Sequence, residues 1–415
     1  MVHPKTKWVY VGIDSHKDTH TAVFIDCYFE KLGELKFDNL PSKFGGFLLE
    51  AQKFKQEGTQ LLFGMEDATS YGRTLAVFLK ANCYEVRHVN SRLVAQERKA
   101  QNVTQKTDSL DAECTARVLL SKLADLPTPD PQDKYWMLRT LVVQRKQLVR
   151  GNIRAKTYLH SLLTQHYPNY CQFFSCIDGK TSLAFFKKYP SPKTLGGVTA
   201  EQLTEFIRDE SSDRFGGEKV QLILHSLEDT AAANQEIRDE AVRAAIRQIE
   251  FNNQELERIE VTMAAYLDSL DCTLTSMAGL DVVSASQILS CIGDIKRFKT
   301  PAKLARYSGI APVTYASGKK SLQFANKRGN RELNSLFFTL AMRLISPTGP
   351  NRKLINPFFY DYFQRKKAEG KTKRQAIKCV ERRLVSIIWT MLTNNEEYIN
   401  PPVIDEPVDE EDLGK

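Results

Sequence analysis

Asp108 and Asp111 lie in the stretch Lys106-Thr107-Asp108-Ser109-Leu110-Asp111-Ala112-Glu113. Thr107 and Ser109 are cap-type residues, and Ala112, Ala116, Val118, Leu119 and Leu120 continue as an apolar helical run, so the stretch opens a predicted helix. Three residues apart, the two carboxylates share one helix face at about 5–6 Å. Two like charges held that close call for a cation between them. Asp14 ends the strand-like run Trp8-Val9-Tyr10-Val11-Gly12-Ile13, and Glu66 ends a second, Leu61-Leu62-Phe63-Gly64-Met65. Any one acid in such a place is a cap or a ligand. Four converging acids make a site for a hard divalent cation with oxygen ligands, magnesium with manganese as an acceptable substitute, and not zinc. Beside Asp14, His16 and His20 read as exposed turn residues.

The elements needed to position these acids follow a recognisable order. Residues 8–14, 21–27 and 33–38 read as a three-stranded meander, 41–56 as a helix, and 60–66 as a buried, parallel fourth strand. A helix over 70–81, a strand over 84–89, a helix over 91–100 and the Asp108/Asp111 helix, ending near residue 123, complete an α/β unit. That order is similar to the ribonuclease H-like nucleases of the RuvC-like branch. The unit is bounded at 1–127, where a Pro- and Asp-rich stretch begins.

Residues 128–270 form a helical middle. Leu138, Leu141, Val142, Leu148, Ala155, Leu159 and Leu162 recur at helical spacing on a basic helix. Val242, Ile246, Ile249, Leu256, Ile259, Met263 and Tyr266 do so on a second, where Asn253 interrupts the seam. The pair reads as an antiparallel hairpin, an intermolecular coiled coil or ordinary core packing, with 166–227 inserted between its arms. Residues 271–394 form a mainly helical third domain. Its residues 276–308 have the helix–Gly turn–helix order of a helix-hairpin-helix element, which meets phosphate through backbone N–H groups. Ser317 then stands before Gly318 in a polar loop, followed by Lys319, Lys320, Lys327, Arg328 and Arg331. The serine is either a turn residue on a phosphate-contacting surface or a nucleophile beside held phosphate. Helices over 332–346 and 374–392 close the domain.

The chain of 415 residues carries a formal charge of +8. The segment 395–415 contributes −7 and reads as an acidic, disordered tail, leaving +15 on the remainder. A basic body of this kind points to a polyanion, most simply nucleic acid. No apolar run spans a bilayer and Met1-Val2-His3-Pro4-Lys5 has no signal-peptide pattern, so no membrane is expected and the location is cytoplasmic. The eight cysteines show no CxxC pair and read as reduced core thiols.

Taken together, Gly12-Ile13-Asp14, Met65-Glu66-Asp67-Ala68-Thr69, Lys106-Thr107-Asp108-Ser109-Leu110-Asp111-Ala112, Tyr315-Ala316-Ser317-Gly318 and Lys327-Arg328-Gly329-Asn330-Arg331 resemble the DEDD transposases of the bacterial insertion-sequence family IS-one-ten, with its IS-eleven-eleven branch. The resemblance is strong over 8–125 and 270–345. It implies that Asp14, Glu66, Asp108 and Asp111 bind the metal and that Ser317 is the nucleophile of the third domain. It implies composite sites across the protomers of a dimer or tetramer, donor and target DNA as substrates, and a structured guide RNA pairing with both. A serine hydroxyl needs activation to attack phosphate, and metal-bound carboxylates fit that need. Lys319, Lys320, Lys327, Arg328 and Arg331 would contact phosphate. Two other readings stand beside this one: a Holliday-junction resolvase or nuclease using metal-activated water, and a nucleic-acid-binding protein that has lost catalysis. Asp67 and Glu113 adjoin the implied ligands and compete for their assignment.

Overall fold

The computed structural model describes residues 4–68, 70–102, 105–129, 134–229, 235–317, 320–327, 329–349 and 352–399. It divides into two units, 1–133 and 134–415, each treated by itself.

The first unit is a five-stranded sheet with helices on both faces. Its elements are β1 (Trp8–Ser15), β2 (Thr19–Ile25), β3 (Lys31–Asp38), α1 (Pro41–Gln52), β4 (Gln60–Met65), α2 (Arg73–Ala81), β5 (Glu85–His88), α3 (Ser91–Ala100) and α4 (Asp108–Lys122). The strand order is β3-β2-β1-β4-β5. β1, β2 and β3 form the expected antiparallel meander, and β4 and β5 add in parallel. The alternation of side chains along β1 divides the core. Val9, Val11 and Ile13 join Phe44, Phe47, Leu75 and Leu79 of α1 and α2 on one face. On the other, Tyr10 packs with Ala112, Ala116 and Leu119 of α4.

Gly12 sets how close α4 comes. A Cβ there would lie 2.0 Å from the Ala112 carbonyl oxygen and 2.3 Å from the Ala116 amide nitrogen. Helix backbone therefore rests almost directly on strand backbone, which only glycine permits.

The second unit is mostly helical: α5 (Tyr135–His166), α6 (Lys180–Lys188), α7 (Ala200–Ser211), α8 (Gly217–His225), α9 (Gln235–Ser269), α10 (Val282–Ile292), α11 (Pro301–Tyr307), β6 (Val313–Ser317), β7 (Lys320–Phe324), α12 (Arg331–Ile345), α13 (Pro357–Ala368) and α14 (Lys373–Asn394). The long helices α5 and α9 pair within the chain. Arg145 bonds Glu260 and Asn152 bonds Asn253, so numbers rise along one helix as they fall along the other, the antiparallel hairpin among the three expectations. At its tip, Phe173, Phe185 and Phe186 of the insertion pack with Val242, Ile246 and Ile249. At its base, Leu138 and Leu267 enter the same core as α10, α11, α12, α13 and α14.

Three expectations require correction. The polar loop around Ser317 is a β-hairpin: β6 and β7 pair antiparallel, with Val313 opposite Phe324 and Ser317 opposite Lys320. His20 is fully buried within β2, its ring against Phe37 and Phe44, and is no turn residue. Of the eight free cysteines, Cys114 is buried while Cys83, Cys171 and Cys176 are exposed, so a uniform set of core thiols does not describe them. The expected acidic tail falls mostly outside the described residues. Within 396–399, the Tyr398 backbone N–H donates to Ser276 Oγ.

Candidate active site

The four acids reach one place by three routes. Asp14 is the penultimate residue of β1. In the parallel β1–β4 register Ile13 faces Met65, so Glu66, the next residue, emerges beside Asp14 at roughly the 4.8 Å strand spacing. The Glu66 N–H donates to the Ile13 carbonyl, holding the chain in register past the strand end. Helix α4, seated over β1 at Gly12, brings its N-terminal turn above both. Thr107 caps that turn by accepting from the Leu110 N–H at 3.2 Å. Asp108 and Asp111 both lie in this first turn, where the helix dipole favours negative charge.

The cluster includes His16, which is an exposed turn residue as expected and also stands against two of the acids. His16 Nε2 lies 3.0 Å from Asp14 Oδ2 and 3.3 Å from Asp108 Oδ1. Donor atoms of Asp14, His16 and Asp108 all fall within 4.8 Å of one another. The signal was the Asp14-x-His16 spacing, since residues two apart leave a strand on the same side. Cations crowd the rest of the site. Arg98 of α3 donates to Asp111 Oδ1, Lys106 Nζ stands 4.0 Å from Asp111 Oδ2, and Lys36 Nζ of β3 stands 3.9 Å from Asp108 Oδ2.

These cations do not relieve the strain fully. Burial is the largest influence on Asp14 and raises its carboxyl above the ordinary value; His16 opposes the rise, while Asp111 and Asp108 add to it. Burial also raises Glu66, with Asp14 and Asp111 adding and Lys106 and Arg98 opposing. Carboxylates that repel one another in a half-buried, oxygen-rich pocket fit a divalent cation. The neighbouring acids are occupied elsewhere. Asp67 accepts the backbone N–H groups of Ser70 and Tyr71 at 2.8 and 2.9 Å, and Glu113 is held by Arg117 one helical turn on.

In the second unit, Ser317 is the last residue of β6 and Lys320 the first of β7. Lys319 and Arg328 lie outside the described residues. Lys327 and Arg331 are exposed. The base of the hairpin is pinned to the end of α11. Asn326 Nδ2 donates to the Arg306 carbonyl at 3.0 Å, the Asn330 N–H to the Tyr307 carbonyl at 2.7 Å, and Asn334 Nδ2 to the Ser308 carbonyl at 3.0 Å. Gly329 and Gly309 cross so closely that a Cβ on Gly329 would lie 2.3 Å from the Gly309 backbone.

Two family models match the chain and name the same lineage. Residues 11–168, which contain all four acids, match the DEDD transposase model of IS110, and residues 272–355, which contain Ser317, match the transposase model of the IS116/IS110/IS902 family. The chain belongs to this transposase family. It is 25% identical to the 44.8 kDa protein of insertion element IS116 of Streptomyces clavuligerus, over 95% of this chain and 97% of that one. It is likewise 25% identical to the 43.6 kDa protein of insertion element IS110 of Streptomyces coelicolor, over 94% and 95%. A pilin gene-inverting protein of Moraxella bovis shares 29% identity over 130 residues, 30% of this chain and 37% of its own. Among the described residues of this family member, no helix is long and apolar enough to cross a membrane.

Proposed function

We propose that this transposase cuts and rejoins DNA strands through Ser317, assisted by the carboxylates of Asp14, Glu66, Asp108 and Asp111. The observation that carries the reading is the convergence of the four acids at the ends of β1 and β4 and the start of α4. The strand order β3-β2-β1-β4-β5 supports assigning the first unit to the RuvC-like branch.

The four acids would hold magnesium or manganese. The bound cation supplies charge stabilisation at the scissile phosphate and lowers the pKa of a coordinated hydroxyl. The chain supplies the rest. Ser317 Oγ gives up its proton and bonds to phosphorus as the bond to the 3′ oxygen breaks, and that oxygen leaves with a proton. The resulting phosphoserine link is close in energy to the phosphodiester it replaces, so rejoining in exchange needs no ATP. Lys327 and Arg331, with Lys319, Lys320 and Arg328, neutralise the DNA backbone. A structured RNA pairing with donor and target DNA supplies sequence choice, and the hydroxyl and the carboxylates are shared across protomers of a dimer or tetramer.

The deciding experiment uses Ser317→Ala on end-labelled DNA. Loss of a denaturant-resistant protein–DNA adduct is the expected result. Unchanged cutting to free ends would instead establish water as the nucleophile, as in a resolvase. Mixing Ser317→Ala with Asp111→Ala protein should restore adduct formation if protomers share the site. RNA that co-purifies, once sequenced, should pair with both substrates.

A further inference from the structure

The β6–β7 hairpin presents rings that stay outside the buried core. Residues alternate across a two-stranded ribbon, so Val313, Tyr315, Leu322 and Phe324 share one face. Tyr315 is 60% exposed and Phe324 51% exposed. The two rings meet edge to face, their centroids 5.4 Å apart. Beneath them runs a groove of about 1050 Å³ between the ribbon and α11, walled by Lys303, Arg306, Tyr307 and Lys327. Lys303, Arg306 and Lys327 are exposed, and no acid lines the groove among the described residues.

We infer that this groove holds unpaired DNA, with nucleobases stacked on Tyr315 and Phe324 and phosphates on Lys303, Arg306 and Lys327. Exposed rings interleaved with cations are what a single strand needs: every base has a π-face, and every linkage a charge. A duplex offers its phosphates but keeps its base faces covered, so it meets the cations and not the rings. The placement bears on the reaction. Tyr315 is two residues before Ser317 on β6, so the strand gripped here is the one offered to the hydroxyl, opened from its complement next to the scissile phosphate. This last step rests on the serine reading above; the stacking itself does not.

The test measures anisotropy of labelled mixed-sequence DNA with the full-length chain in EDTA, where no chemistry occurs. Tyr315→Ala and Phe324→Ala should each weaken single-strand binding about tenfold and leave duplex binding within about twofold. Tyr315→Phe, which keeps the ring, should bind like the wild type. Arg306→Ala should weaken both forms and reduce the salt slope by roughly one. Unchanged single-strand binding in the alanine variants overturns the inference, as does an equal loss on duplex. A loss confined to single-stranded RNA would give the groove to a guide instead, and a changed mass in light scattering would make the rings a contact between copies of the chain. An adduct that survives Ser317→Ala removes the serine reading and leaves ring-dependent binding standing.

Discussion

Replacing Gly12 by alanine tests the link between packing and chemistry. The added Cβ would sit 2.0 Å from the Ala112 carbonyl and 2.3 Å from the Ala116 nitrogen, both backbone atoms of α4 that no rotamer change can move. Reaching ordinary contact at 3.4 Å requires α4 to retreat by about 1.4 Å from β1. Asp108 and Asp111 travel with the helix, while Asp14 and Glu66 stay with the sheet. Overpacking of this kind costs about 1–3 kcal/mol of stability. A site that must hold its ligands to within about 0.5 Å loses more than that. A displacement of roughly 1 Å lowers rates on the order of a hundredfold.

Urea unfolding with and without saturating magnesium or manganese separates the two effects. In the wild type, a cation at about 100 times its Kd adds about 2.7 kcal/mol. Gly12→Ala should lose both the stability increment from packing and most of the increment from metal, with adduct yield down about a hundredfold. Gly46→Ala on the exposed side of α1, where nothing lies within 4 Å, is the control and should gain about 0.5–1 kcal/mol with the metal increment intact. A Gly12→Ala protein that keeps the full metal response would refute the claim that α4's close approach assembles the site.

The titration of the acids gives a second outcome. Glu66 is raised in the folded state, so folded protein holds its proton longer and stability falls as pH climbs through that raised value. Without metal, Glu66→Gln should therefore be more stable than wild type at pH above that raised value, with the gap closing as pH falls back through it; urea midpoints measured across the range check it. Arg98→Ala leaves the buried Asp111 carboxylate without its guanidinium, and should cost about 1–3 kcal/mol in EDTA while enlarging the stabilisation by magnesium, as read by thermal melting. In the α5–α9 hairpin, Asn152→Ala strands the partner of a 2.7 Å bond and should cost about 1–3 kcal/mol, whereas Asn152→Leu with Asn253→Leu should recover most of it in a double-mutant cycle.

Legibility followed the physics of local pattern. Short apolar runs, each followed by an acid, and the Thr107 cap announced β1, β4 and α4, and with them where along the elements the four acids lie, because each depends on neighbours within a few residues. The role of Gly12 did not show, because a glycine in a strand looks the same whether it relieves a turn or admits a helix. His16 is the exposed turn residue expected, but its place beside two of the acids did not show, for a related reason. Polar residues after a strand suggest a turn, and only the position of α4 above β1 brings Asp108 within 3.3 Å of the imidazole. The apolar seams of α5 and α9 were visible, but the same seam serves a partner in the chain or in another copy. Pairs such as Arg145 with Glu260 decide between them.

The hairpin shows where pattern reading fails for want of a core. Val313, Tyr315, Leu322 and Phe324 alternate as strand residues do, yet Gly318 and the lysines around it read as a loop. Alternation ordinarily signals a face turned inward, and here Tyr315, Leu322 and Phe324 are exposed. An isolated two-stranded ribbon is marginal in water. This one is tied at its base, where Asn326 donates to the Arg306 carbonyl and Asn330 and Asn334, at the start of α12, bond the Tyr307 and Ser308 carbonyls, while Tyr315, Leu322 and Phe324 stay outside the buried core. Rings outside the buried core, on a ribbon that neighbouring asparagines already hold, are free to serve a ligand. Asn330→Ala keeps the backbone bond to the Tyr307 carbonyl but loses the Nδ2 donation to the Tyr307 hydroxyl and the Oδ1 cap on the Leu333 N–H; single-strand binding should weaken as that anchor loosens, although Asn330 itself does not line the groove.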